Sequence, residues 1–536
     1  MPFCCFSQTG EWTWISGDDT IQTNGNYGTQ GVPSINNTPP SLYEPCEWID
    51  SQGNFWLFGG FHVHFPVGAD MNDLWKFNPS TLEWTWVKGS GLPDNLGYYG
   101  TQGISSPLNM PSCKGWGAPT WVDLNDNLWV YGGRIGYDDL WKYNISTNEW
   151  TWMKGDTTNA PFFQYITPHY GIFQTPDSTN TPGSRMEVTT SWTDDSGNLW
   201  LFGGVGFDSS GTNGYNYNDL WKYDILLNQW IWMAGSNIPN DTGHYGIKGV
   251  PSPLNCPPAR SCFAKWKDNQ GNFYLFGGLT VDINNSCIFK GYNDVWKYEI
   301  SSNNWVWIGG DSTYNTPGIY SSECVSNSTN IPRNSYENRA TSFDQNGNAF
   351  MFGNAGIGCV NWPPMRNELW HYSINLNEWT LIQSNTAPYW GIIGQSSPLN
   401  APPRIIGAVS WLLNDEFWVF GGTQNGNDES YNSLWRYKID YSCFPTGIES
   451  IAQFPEYSIY PNPVKTKLTI ELELQKSTAV HYRLNNTIGS IIFIENDLDQ
   501  SGNISKIINL DNLSSGIYFL TIMIDNAVLN EKIIVE

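Results

Sequence analysis

One short element, a hydrophobic residue followed by two glycines, recurs six times and restricts this chain to a repeat architecture. It reads Phe58-Gly59-Gly60, Tyr131-Gly132-Gly133, Phe202-Gly203-Gly204, Phe276-Gly277-Gly278, Phe352-Gly353-Asn354 and Phe420-Gly421-Gly422. The first glycines stand 73, 71, 74, 76 and 68 residues apart. A period of this kind means one supersecondary unit stacked on copies of itself. Each copy is followed by a Leu-Trp or Val-Trp pair, ending at Trp75, Trp141, Trp221, Trp296, Trp370 and Trp435. A Trp-x-Trp segment comes next, at Trp84/Trp86, Trp150/Trp152, Trp230/Trp232 and Trp305/Trp307, weakened to Trp379/Leu381 in the fifth unit. Alternating aromatic and aliphatic residues bounded by Gly, Asn and Asp predict four short strands per unit, a to d. In the fourth unit these are SCFAKW, NFYLFGG, DVWKYEI and NWVWIGG. The a-to-b and c-to-d turns are tight, whereas the d-to-a and b-to-c connections are long.

The sixth unit runs from Trp435 into Tyr441-Ser442-Cys443 without a Trp-x-Trp strand, while Trp12-Thr13-Trp14 near the start has no strand c before it. The N-terminal segment therefore supplies the outer strand of the sixth unit. Trp12 and Trp14 close a ring with no open interblade edge. The fold class expected is all-β: a six-bladed β-propeller closed by the N-terminal strand, then a small Ig-like β-sandwich. The hydrophobic-Gly-Gly end of strand b, the ND-[LV]-W-x-[YF] strand and the W-x-W strand resemble the kelch family over about residues 10 to 440. The unit exceeds the usual kelch length of about 50 residues, and the excess lies in d-to-a loops such as GSGLPDNLGYYGTQGISSPLNMPS.

The chain carries 26 Lys+Arg against 50 Asp+Glu, a formal charge of −24. No nucleic-acid partner is expected, because phosphate contacts need concentrated positive charge. No apolar run approaches 18 residues, which argues against a transmembrane segment. The 10 cysteines include no C-x-x-C pair, so disulfides in an oxidising compartment are expected rather than a zinc ribbon or a redox motif. Residues 1–9 read as the remnant of a signal peptide.

Most of the 29 tryptophans hold equivalent places in the repeat, where a large flat ring fills the wedge between blades. Trp116 and Trp362 stand outside that pattern and are candidates for ligand contact. Lys114, Arg185 and Arg404 lie seven residues before the strand-a tryptophan and Arg260 six before. On innermost strands they would form an anion-binding ring for sialic or uronic acids, provided a bulge corrects the offset of Arg260. The Asn/Asp pairs before strand c, such as Asn72-Asp73, Asp138-Asp139, Asn218-Asp219 and Asn293-Asp294, are expected to make turn hydrogen bonds rather than bind calcium. His62 and His64 form an H-x-H, a weak metal candidate without a partner in sequence, and His169 and His244 precede Tyr-Gly in two d-to-a loops. No metal and no cofactor is expected. For disulfides, chain alternation brings Cys256, Cys324, Cys287 and Cys359 to one face. Cys324 with Cys359 is the favoured pair, Cys287 with Cys324 the alternative, and Cys443 would reach Cys4 or Cys5.

After Trp435 no tryptophan occurs. Residues 443–456 read as a linker, so that the propeller spans 10–442 and a last domain 457–536. The YPNP start, the segment with Leu510, Leu513, Gly516, Ile517 and Tyr518, and the terminal KIIV resemble the C-terminal sorting domain of Bacteroidetes type IX secretion. That resemblance implies handling by the type IX machinery through residues 457–536, secretion or display on the outer cell surface, and removal of the domain on the way.

The functional expectation is a binding or adhesion module for an extracellular protein or glycan, working through the long-loop face. The alternative is a carbohydrate-active enzyme, either a sugar oxidase or a sialic-acid epimerase of the kelch type. The oxidase would need a Tyr/His copper set, which the sequence does not place. A purely structural surface-layer component is the third reading.

Overall fold

The computed structural model describes residues 10–64, 67–133, 137–157, 166–188, 191–207, 214–281, 289–356, 366–385, 387–424, 429–444, 457–486, 491–511, 513–524 and 527–536. The chain divides after Phe444 into two compact units.

The first unit is a six-bladed propeller. Blade 1 pairs strand a (Cys46–Ile49), b (Phe55–Phe58), c (Leu74–Asn78) and d (Glu83–Lys88) in antiparallel order, and blades 2 to 5 repeat the pattern. In blade 6, strands a (Val409–Leu413), b (Glu416–Phe420) and c (Leu434–Lys438) are completed by Trp12–Ser16. Trp12 lies opposite Tyr437 and Trp14 opposite Trp435. Trp12 is 1% exposed and packs on Phe352 and Tyr437, while Trp14 packs on Trp390 and Trp435. The ring is thus closed by the N-terminal strand Trp12–Ser16.

At four of the six junctions, blades are joined by tryptophan on both sides of the wedge. The indole Nε1 of Trp411, Trp48, Trp121 and Trp192, all on strands a, donates to the carbonyl of Trp48, Trp129, Trp200 and Trp266 in the next blade at 2.8–3.0 Å. Each such bond contributes about 1 kcal/mol net and also spares a buried donor.

The long d-to-a connections are not free loops. Each runs to the rim and lies along strand d of the blade it is about to enter, bridging at Ser34–Trp84, Ser106–Trp150, Asp177–Trp230, Ser252–Trp305 and Asn327–Trp379, with Ser396–Ser397 against strand d of blade 6. One asparagine fixes each clip. Asn37, Asn109, Asn180, Asn255, Asn330 and Asn400 each donate from Nδ2 to the carbonyl five residues earlier and to that of Trp84, Trp150, Trp230, Trp305, Trp379 or Trp12, at 2.8–3.1 Å. Gly246 enters its clip at φ +62°, and a Cβ there would overlap Asn255 Oδ1. The clips cover the outermost strand, the edge that would otherwise template aggregation. Much of the excess length of the repeat is consumed in this way, so the clips add little to a variable binding face.

The Asn/Asp pairs are buried joints, not simple turn formers. Asn72, Asn218, Asn367 and Asn432 donate to the carbonyls of Pro111, Pro257, Pro402 and Pro39 in the loop entering the next blade.

A disulfide is present, but between other partners than expected: Cys324, in the clip of blade 5, is bonded to Cys443. That excludes both Cys324–Cys359 and Cys287–Cys324. The reason is that the chain leaving blade 6 turns onto blade 5, where Phe444 packs against Phe350 and His371. Cys256 is a free thiol accepting from Asn218 Nδ2 at 3.2 Å. Cys4, Cys5, Cys287 and Cys359 lie outside the described residues.

The second unit is a curled sheet consistent with a β-sandwich. The long strand Lys467–Asn486 pairs with Tyr457–Tyr460, with Ile491–Asn509 along its length and with Gly516–Ile524, which pairs with Ala527–Val535. Its inner residues Leu468, Ile470, Leu484, Leu520, Ile522 and Ile533 form one core.

Candidate functional site at the propeller axis

The bases expected to line the channel are instead tied into their own blades. Lys114 pairs with Asp139 at 2.6 Å, Arg185 with Asp219 at 2.6 Å and Arg260 with Asp294 at 2.5 Å, all six side chains at most 1% exposed. The acceptor is the Asp preceding the Leu/Val-Trp pair, which also receives the indole of Trp141, Trp221 or Trp296 and the phenol of Tyr99, Tyr170 or Tyr245. Arg260 reaches the equivalent partner despite its offset, because all three bases precede strand a. Their charge is spent internally, and the expected anion ring does not form from them. Arg404 is half-buried; blade 6 carries Ser433 where blades 2 to 4 carry Asp.

The axis itself holds a different set. Glu44, Trp116, Glu187, Cys262, Glu337 and Gly407 occupy one equivalent position just before strands a, each with left-handed φ between 49° and 62°. Backbone bonds run around the axis, from Glu187 N–H to Trp116 O (2.8 Å), Cys262 N–H to Glu187 O (3.1 Å) and Glu44 N–H to Gly407 O (2.9 Å). For a residue other than glycine this conformation costs roughly 1–2 kcal/mol, and backbone strain of this kind gathers at functional sites. The glutamates come from alternate blades. Glu187, Cys262 and Glu337 place one ligand-type atom each within 4.8 Å of the other two, and Cys262 Sγ lies 3.1 Å from Glu187 Oε2. Tyr43 donates its hydroxyl to Glu337 Oε1. Burial, reinforced by Glu337, pushes the Glu187 carboxyl up to about 8. Burial, then Glu187, drives Glu44 well above the carboxylate range.

Below this ring the six strands a enclose a cavity of about 390 Å³, on the side of the tight turns. Trp48, Trp121, Trp192 and Trp411 contribute to its wall, with hydroxyls from Thr120, Thr193, Thr341, Ser342 and Ser410. Glu47, Lys265 and Lys267 supply charge. Lys265 Nζ lies 3.9 Å from Glu47 Oε1, and burial, partly offset by Glu47, lowers its ammonium to about 8. Arg339 lies between ring and cavity, donating from Nη2 to Pro45 O (3.2 Å) and Glu47 Oε2 (3.3 Å). Burial opposes its charge, but Glu47 and Glu44 outweigh that and keep it protonated.

Of the other candidates, Trp116 is part of the axial ring and packs edge-on against Phe61; Trp362 lies outside the described residues. His62 is buried with Nδ1 against Ser41 O and Nε2 against Asn24 Oδ1, so it is committed to the loop; the side chain of His64 is not among those described. Among the described residues, no cluster of three or more ligand-type side chains includes a histidine. Sequence reasoning missed the ring. Its signal, one residue at spacings of 72, 71, 75, 75 and 70, carries no common side chain.

Residues 458–536 match the family model described as the secretion system C-terminal sorting domain. Among solved structures, the chain is similar to a fungal alcohol oxidase of the AA5 family in complex with copper (13% identity, 95% of this chain and 100% of that one, TM-score 0.42). It is also similar to YjhT (13% identity, 78% and 97%, TM-score 0.36) and to a protein from Lactobacillus plantarum (9% identity, 93% and 98%, TM-score 0.34). The C-terminal unit is a sorting domain, and it directs the chain through type IX secretion to the cell surface or beyond. No helix among the described residues is long and apolar enough to cross a membrane.

Proposed function

We propose that the exported propeller is a binding module that takes a small polar group, an acidic glycan terminus or an acidic side chain of an extracellular protein, into the cavity at its axis. The observation that carries this reading is the cavity itself: about 390 Å³, within the range of ligand pockets, with aromatic walls, converging hydroxyls and the ammonium groups of Lys265 and Lys267. The indoles, 2–3% exposed and bonded into the next blade, hold the wall rigid, while the hydroxyls and the charged groups orient an anion. The long-loop face is a weaker candidate than the sequence suggests, because the d-to-a loops are engaged as clips.

A second reading, a carbohydrate-active enzyme, is favoured by Lys265, whose ammonium titrates near 8 beside Glu47, a value suited to proton transfer. The test is a glycan array probed with the full-length protein and with Lys265→Met. Binding that is lost in the variant, with bound sugars recovered unchanged, supports the module; chemical turnover of a bound sugar supports the enzyme. Binding unaffected by Lys265→Met removes the cavity from consideration.

A further inference from the structure

We propose that the axial ring is a structural zinc site, with Glu187, Cys262 and Glu337 as ligands and Glu44 as the fourth. The three first-named residues come from successive blades 3, 4 and 5, and their donor atoms lie within 4.8 Å of one another. Zinc with bonds of about 2.0–2.3 Å in a tetrahedron holds its ligands roughly 3.3–3.7 Å apart, so small side-chain movements bring these three together, while Glu44, outside that group and beside Glu187, has farther to move.

An independent observation points the same way. Glu44 is 0% exposed, and no amide, hydroxyl or cationic group donates to either carboxyl oxygen, which lie instead in hydrogen-bonding reach of the Glu187 carboxyl. Its carboxyl faces that of Glu187, an arrangement that needs either a shared proton or a cation between the two. Holding two buried carboxyls against each other is costly unless a proton or a cation lies between them, and here one of them lies on a backbone already held in the left-handed region. A divalent ion resolves these conflicts together. Three carboxylates and one thiolate carry four negative charges, Arg339 one positive and zinc two, so the occupied centre ends at −1.

The donor chemistry selects the ion. Calcium and magnesium take shells of six or more oxygens, whereas one thiolate among carboxylates in a closed ring suits a borderline ion such as zinc. On binding, the Cys262 thiol proton and the carboxyl protons leave to solvent, and no oxidation is involved. The ion would staple four blades at the axis, as the Cys324–Cys443 bond fastens the rim.

The test uses the full-length protein, stripped with chelator, then titrated with zinc chloride and, separately, with cobalt(II) chloride as a spectroscopic probe. One zinc per chain should remain after gel filtration, with a higher melting temperature than the stripped protein. Cobalt should give a thiolate-to-metal charge-transfer band that Cys262→Ser abolishes. Glu44→Gln should weaken zinc binding at least tenfold while leaving the near-ultraviolet circular dichroism unchanged. If Cys262→Ser does not fold, Glu44→Gln carries the test. Failure of the folded wild-type protein to retain zinc overturns the proposal, as does a cobalt band that survives Cys262→Ser or a zinc affinity unchanged by Glu44→Gln. Any of these three outcomes would leave the ring as carboxyls sharing protons.

Discussion

Replacing Arg260 with methionine separates a structural base from a ligand-binding one. In blade 4, Arg260 donates from Nη1 and Nη2 to both oxygens of Asp294 at 2.5 and 2.8 Å, from Nε to Pro258 O and from Nη1 to Gly277 O. Its guanidinium also lies 4.2 Å from the Tyr292 ring centroid. Methionine keeps much of the volume but leaves Asp294 in a site with 0% side-chain exposure, still served by Tyr245 and Trp296 but without its counter-charge. Breaking one side of such a pair costs about 3–5 kcal/mol. Asp294→Asn should cost a comparable amount, since it leaves the guanidinium without its counter-charge. Replacing both with apolar residues should cost much less than the sum, because neither desolvated charge remains. At about 3 kcal/mol/M in urea, the upper value for small proteins, the single variants move the unfolding midpoint by about 1–1.7 M, and by less as the larger propeller raises m. Tryptophan fluorescence during urea titration of the isolated variants reads this directly. An Arg260→Met protein with an unchanged midpoint would refute the structural assignment and restore this residue as a candidate for binding an anion.

Four further outcomes are expected. Trp12→Ala, which empties a site 1% exposed between Phe352 and Tyr437, should cost about 3–5 kcal/mol; an unaltered melting temperature would contradict closure by the N-terminal strand. Asn255→Ala removes both clip bonds to Val250 O and Trp305 O and should cost about 1–3 kcal/mol, with light scattering on heating reporting the uncovered edge. Cys324→Ser opens a loop of 119 residues and should lose up to about 4.9 kcal/mol by the chain-entropy relation, read as a lower melting temperature under non-reducing conditions. Binding of an acidic ligand in the cavity should weaken as pH rises through about 8, because the depressed Lys265 ammonium is charged below that value and neutral above it; calorimetric affinities that stay flat from pH 7 to 9 would show that Lys265 does not face the ligand.

The propeller was legible because its strands repeat in side-chain type as well as spacing. Gly-Gly, Leu-Trp and Trp-x-Trp each mark a strand whose neighbours must be aromatic to fill a wedge, and the missing sixth Trp-x-Trp pointed to Trp12 and Trp14. The rim clip was equally periodic, with Tyr27, Tyr99, Tyr170, Tyr245, Tyr320 and Trp390 each ten residues before its asparagine. Reading those segments as loops by composition hid the pattern, since Gly, Pro, Ser and Asn signal turns whether or not the turn is pinned to an edge. The bases went wrong for another reason. A cation on the way to an inner strand reads the same whether it faces the channel or turns back to an acid some 25 to 34 residues later, and only three-dimensional pairing distinguishes the two. The disulfide failed similarly, because the path of residues 439–444 onto blade 5 is not written in any local pattern.

Positions that repeat faithfully in this chain pair with one another: indole to carbonyl, asparagine to clip, base to acid. Where the repeat loses its side-chain identity, at the axial ring, like charges face one another instead. The ring position reads Glu, Trp, Glu, Cys, Glu, Gly around the blades, though the backbone there is held to one conformation throughout and to one pattern of hydrogen bonds at three of the six junctions. A constraint that fixes six backbones but only alternate side chains cannot come from packing, which would select one size or shape at every copy. It fits a requirement for charge at a set of points about the axis, which a repeat protein can meet only by letting its copies diverge. The same reasoning separates Arg404 from its counterparts. Its blade carries Ser433 in place of the acid, so it is the one base of the original four that the blade does not neutralise through that position.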